Sequence, residues 1–283
     1  VAKAALSDTG YATFQAIRAA DTYLGQSASG YGEGNYVIAV LGTPSTTSRW
    51  MLQLGGHHYA YDMAFNGTAT PNVTTTGTPF HLGVEPQAFT LNGVSYAPLQ
   101  SRKVAMYTMI NALDATQKTA AQLSSRFDDV LLGPGKDWQF PTSQGLLGSS
   151  LTAAQRALVA AAIQQWVRDL PAPQAAAVMA DYTADSSLAR TYVAWATSTD
   201  STVQGSYIRI DGPRVWIEFV CQAGVVFRSQ IHFHTIWRDR VRDYGGSIST
   251  ASIETAAFIR ELADARNHFT PTPANPADWL ASR

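Results

Sequence analysis

The chain has 283 residues, 46% of them hydrophobic and 14% charged, with a formal net charge of −1. It can bury a sizeable core, has no basic surplus of the kind that binds nucleic acid, and has no run of about twenty apolar residues that would span a membrane. Its one cysteine, Cys221, excludes an internal disulfide framework.

In chain order, Ala4 to Leu24 has helical spacing of Phe14, Ile17 and Tyr23. A Gly/Ser-rich turn to Gly34 leads into the β-type run 36–42. After the turn PSTTS, residues 49–65 read as one long strand, with Gly55-Gly56 as a bulge or a close backbone approach. Residues 36–42 and 49–65 together suggest a hairpin. Residues 66–100 read as loop with short strands around FHLGVEPQAFTL and VSYAPL. Residues 101–127 read as a helix and 128–150 as a long connection.

A helix opens at Ser150 and is stopped by Pro171 and Pro173. Further helices are expected from Pro173 to Ala184 and from Ser187 to Trp195. The last third returns to strands at 206–211, 214–222 and 225–238. A helix from Ser249 to Arg266 and a Pro-rich tail follow. Strands in runs and helices in runs predict an α+β fold. The N-terminal hairpin and C-terminal strands are expected to share a mostly antiparallel sheet, packed with the central helices, in a single domain over 1–283.

The chemistry lies in the histidines. Five of six fall in three segments: His57-His58 in QLGGHHYAYDM, His81 in TPFHLG, and His232 with His234 in QIHFHTIWRD. Residues i and i+2 of a strand share a face, so His232 and His234 can reach one cation. Neutral imidazole suits zinc, copper and iron. His57 and His58 would point apart on a regular strand, and parity alone does not choose between them as a further ligand.

Glu218, inside the apolar strand VWIEFV, needs a partner if buried. It is a candidate ligand or general base. Arg238 is a candidate anchor for a carboxylate or phosphate, and Asp239 or Asp243 a candidate orienting carboxylate. Tyr59, Tyr61, His81 and Trp237 are candidate substrate-side or supporting residues. The bland alternatives are paired structural residues, and a small core hydrophobe for Cys221. His268, near the tail, reads as inert. P-loop, G-x-S-x-G, G-x-G-x-x-G and H-E-x-x-H motifs are absent.

Together the segments W-x-L-Q-L-G-G-H-H (50–58), F-H-L-G-V-E-P-Q (80–87), Y-I-R-I-D-G-P (207–213), W-I-E-F (216–219), H-F-H-T-I-W-R-D (232–239) and D-Y-G (243–245) resemble a bacterial and fungal family known as domain of unknown function 3500. The likeness runs from about residue 5 to 265. It implies no activity and assigns no residue roles. Many members of that family look secreted, so the resemblance agrees with the low lysine content and absence of cysteine pairs in implying a secreted or periplasmic protein whose signal peptide has been removed.

The expected function is a metal-dependent enzyme holding a divalent ion, zinc or copper, among His232, His234 and one of His57 or His58. Three histidines with an open position form a catalytic zinc pattern, which points to hydrolysis of a small or polymer-derived substrate. Copper would imply an oxidoreductase. Non-catalytic alternatives are a metal-binding protein and a carbohydrate-binding surface built from Trp50, Trp138, Trp216 and Trp237.

Overall fold

The computed structural model describes residues 1–65 and 77–246. The helix expected at Ser249 to Arg266, the Pro-rich tail and His268 lie outside the described residues.

Helix α1 (Ala2–Ala5) and α2 (Asp8–Gly25) open the chain. The Ser7 side chain caps α2 by accepting from the Gly10 amide, satisfying one of the unpaired N–H groups of the first turn. Strands β1 (Val37–Leu41), β2 (Trp50–Gly56), β3 (Tyr59–Phe65) and β4 (Phe80–Val84) follow, then the small hairpin β5 (Phe89–Leu91) and β6 (Val94–Tyr96). Helices α3 (Gln100–Asn111) and α4 (Ala115–Ala121), strand β7 (Leu146–Leu147), and helices α5 (Ala153–Val167), α6 (Ala172–Thr183) and α7 (Asp185–Ala189) form the middle. Strands β8 (Tyr192–Ala196), β9 (Ser206–Asp211), β10 (Val215–Ala223) and β11 (Ile231–Asp239) complete the sheet.

The sheet has nine strands in the order β1-β2-β3-β4-β11-β10-β9-β8-β7, and every neighbouring pair is antiparallel. The α+β class and the shared sheet match the expectation. Joining the two halves of the chain is the β4–β11 pair, which sets His234 opposite Gly83 and Ile236 opposite His81.

Four local expectations are corrected. Residues 49–65 are not one strand: the chain reverses at His57-His58, the two-residue connection between β2 and β3. The helix over 101–127 breaks after Asn111, because Asp114 and Gln117 form a capping box that starts α4. Ser187 to Trp195 is helical only to Ala189. Tyr192, Val193 and Trp195, which favour a pleated surface, pair with β9 instead. The strand read over 225–238 begins at Ile231.

Alternation along the strands gives the sheet two distinct faces. On one, Tyr59, Tyr61, Phe80, Leu82, Phe219, Phe233 and Trp237 pack with Ile17, Met106, Ile110, Ile163, Trp166 and Val167 of the helices. The other face is covered by the connection after α4. Leu123 packs on Val220 and Tyr207, and Leu132 packs on Trp216 and Ile236. Burying such side chains contributes roughly 1.5–3 kcal/mol each, which holds the long connection to the sheet although it contains little regular structure.

Candidate metal centre

The H-x-H expectation is met in geometry. His232 and His234 lie on the connection-side face of β11, with ring centroids 4.4 Å apart. His58 reaches them from the β2–β3 turn, 4.7 Å from the His232 ring and 5.4 Å from the His234 ring. The ligand-type nitrogens of all three lie within 4.8 Å of one another. Gly83 makes this approach possible. A Cβ there would sit 2.5 Å from Cδ2 of His58 and 2.9 Å from Cδ2 of His234, so any side chain on β4 at this point would part the rings.

Each imidazole has a carboxylate near its Nδ1. His58 Nδ1 is 3.9 Å from Asp21, His232 Nδ1 is 3.7 Å from Glu85, and His234 Nδ1 is hydrogen-bonded to Asp129 at 2.9 Å. The Nε2 atoms of His58 and His232 are 2.8 Å apart. Burial holds His58 well below the usual imidazole range, with the neighbouring His57, His232 and His234 adding to it. The same cause takes His232 down to about 3. Burial alone would raise the Asp129 carboxyl, but the His234 hydrogen bond and charge outweigh it and keep it below its ordinary value.

Proton accounting then decides how well this arrangement suits a cation. A neutral imidazole carries one N–H. If His58 and His232 share a proton between their Nε2 atoms, the donor's own Nδ1 is bare and faces a carboxylate from inside the protein. The Nδ1 atoms of His58 and His232 are both buried and make no hydrogen bond among the described residues. With a cation on the Nε2 side, every Nδ1 carries a proton and points it towards a carboxylate, the usual way a ligand histidine is oriented. The residues therefore fit a divalent ion. Tetrahedral zinc at the usual Zn–N length needs its nitrogens about 3.3 Å apart, a separation reached by opening the His58–His232 contact by about half an ångström.

His57 has a different place. Its ring stacks on His58 at 3.7 Å, and its Nδ1 meets Asp21 at 3.0 Å. Asp21, His57 and His58 form a second cluster of ligand-type atoms. Two stacked rings cannot both hold one ion in their planes, so Asp21 acts better as the carboxylate that orients them. The His57 and His234 side chains, 22% and 27% exposed, border an open cleft of about 450 Å³. Its walls also include Gln53, His58, Tyr59, His81, Asp129 and Thr235. His232 sits behind this surface, buried.

Glu218 and Arg238 stand elsewhere, and neither lines the cleft. Glu218 is fully buried and accepts from the Leu131 and Leu132 amides, Tyr207 Oη and Trp216 Nε1. Arg238 donates to the Leu132 and Gly133 carbonyls and to Asp137 and Asp243. Instead of meeting substrate, the two clamp the connection whose Asp129, Val130 and Pro134 form one wall of the cleft. Asp239 accepts from Tyr182 Oη and the Val241 and Arg242 amides, while Asp243 accepts from the Asp239 amide. Both shape the turn after β11 and do not orient a histidine.

Tyr61 and Trp237 are buried in the helix-side core. Tyr59 belongs to that core and also touches the cleft. Trp216 and Trp237 are buried on opposite faces, so the four tryptophans form no common exposed surface. Sequence reasoning missed Asp21, Glu85 and Asp129, the three carboxylates nearest the Nδ1 atoms of the clustered imidazoles.

Fold and site together define an α+β protein with a histidine-lined cleft at one end of an antiparallel sheet. The chain belongs to the family described as "Protein of unknown function (DUF3500)", whose model matches residues 1–246. No curated protein and no solved structure matches it.

Proposed function

We propose that the protein is an exported metal-dependent hydrolase, with one divalent ion held by His58, His232 and His234. The observation that carries the reading is the set of three clustered imidazoles, each with Nδ1 towards a carboxylate and two with Nδ1 otherwise unpaired. A bound zinc ion would polarise a carbonyl and acidify water towards neutrality. The protein's own part is to hold three neutral ligands through Asp21, Glu85 and Asp129, to leave the cleft side open, and to position substrate against Gln53 and His81. His57, fixed by Asp21 and facing the cleft, is placed to take up a proton from water entering the centre. Zinc is the leading ion. Copper on the same donors would instead make an oxidoreductase centre.

A second reading is favoured by the direct 2.8 Å contact between His58 and His232 Nε2. It is a metal-free histidine network in which the His57–Asp21 pair does acid–base work. Titration of chelator-stripped protein with zinc and with copper, each against a chromogenic competitor, separates the readings. Tight uptake of one ion followed by ester or amide hydrolysis supports the zinc enzyme, and uptake of copper with oxidase turnover moves the assignment to the oxidoreductase. Failure to bind either ion, with hydrolysis that survives chelator and is lost in His57→Ala, leaves the metal-free enzyme.

A further inference from the structure

The charges around the cleft say what kind of molecule it takes. Among the described residues, no lysine or arginine side chain lines it. Arg238, the expected anion anchor, is buried in its own hydrogen bonds. Arg18, on α2, is occupied by Glu33 and Gln15. Behind the three imidazoles stand Asp21, Glu85 and Asp129, and their formal charges outnumber the two positive charges of a divalent ion. Asp129 is itself on the cleft wall and half exposed. An anion entering the cleft thus meets a site with no net attraction and one carboxylate at its mouth.

Sites built for phosphate or carboxylate substrates look different. They supply a guanidinium fork, a lysine or a helix N-terminus besides the metal. Besides the clustered imidazoles the lining offers the carboxamide of Gln53, the ring of His81 and the side-chain-free backbone of Gly55, Gly56 and Gly83, while the Thr235 hydroxyl is already given to the Glu218 carbonyl. These recognise hydrogen-bonding groups and flat surfaces. The cleft, at about 450 Å³, falls within the usual range for small-molecule sites.

We infer that the cleft binds an uncharged, hydrogen-bonding substrate such as a neutral amide or ester, and discriminates against anionic ones, because among the described residues three carboxylates and no lysine or arginine surround the place where the ion and substrate meet. The inference rests on the proposed metal centre.

The test uses the full chain loaded with cobalt(II), whose visible bands report on ligands entering the coordination sphere. Two probes of nearly one shape are titrated at pH 8: succinamide, uncharged, and succinamate, with a carboxylate in place of one amide. Succinamide is expected to shift the bands at a concentration at least about tenfold lower than succinamate. In Val37→Arg, which places a cation on the cleft wall, the gap should close or reverse. Equal or tighter binding of succinamate to the unaltered protein would overturn the inference, as would the absence of any shift by succinamide up to tens of millimolar. Absence of cobalt bands before any probe is added would instead remove the metal centre, and the inference with it.

Discussion

At the scale of single residues, the proposed centre would depend on atoms that never touch an ion. Asp129 fixes His234 through Nδ1, and replacing such an orienting carboxylate typically costs 10–100-fold in metal affinity. Asp129→Asn should show a loss of about that size in a competition titration, with an unchanged circular dichroism spectrum because the side chain is half exposed. Unchanged affinity would mean that the hydrogen bond does not orient a ligand. Gly83→Ala makes the converse case. The added methyl would overlap the rings of both His58 and His234, so zinc affinity should fall more than tenfold while overpacking costs about 1–3 kcal/mol of stability. The H-x-H pair was legible because alternation is local. The carboxylates were not, since Asp21 is 36 residues from His57 and Asp129 is 105 from His234. Only the packing of α2 and of the connection against the sheet brings them together.

Elements explain why two expected catalytic residues have other work. Glu218 was singled out because a carboxylate in an apolar strand demands partners. That reasoning held, but the partners are the amides of the connection over β10 and not substrate. Glu218→Gln sets an amide N–H against backbone donors, and unsatisfied buried groups cost about 1–3 kcal/mol. The denaturant midpoint should fall, with zinc stoichiometry retained. A variant that keeps its midpoint but loses turnover would restore Glu218 as a catalytic base. The misread elements share a cause: short-range patterns were extended past a reversal. Gly55-Gly56 reads as a bulge, yet the chain turns one residue later and delivers His58 to the centre. Residues 192–196 follow closely on a helical turn, and pairing with β9 on one side and β7 on the other makes them a strand.

Across the whole molecule, the sheet joins distant parts of the chain, with β4 beside β11, and a buried ion pair ties two of the helical segments to each other. Arg102 on α3 pairs with Asp169, just past α5, both fully buried. Removing one partner strands the other charge in the core, so Arg102→Met should destabilise the protein by about 3–5 kcal/mol in equilibrium unfolding. A cost below about 1 kcal/mol, the exposed-pair range, would show that water reaches the pair. The α+β class and the mixing of N-terminal and C-terminal strands in one sheet were readable from the grouping of strands and helices. The strand order was not, because pairing across more than a hundred residues leaves no local trace. Ion binding adds a global term: at a free concentration a hundred times Kd, an ion that binds only the folded state contributes about 2.7 kcal/mol. Thermal unfolding should therefore rise with zinc in the unaltered protein and stay fixed in His58→Ala.

The central claim is that His58, His232 and His234 hold one ion. It is tested most directly by elemental analysis of protein purified without an affinity tag or chelator, beside a His232→Ala/His234→Ala variant shown to be folded by circular dichroism. The predicted result is close to one equivalent of zinc or copper in the unaltered protein and none in the variant. An unaltered protein that carries no metal, and takes up none on dialysis against either ion, would contradict it.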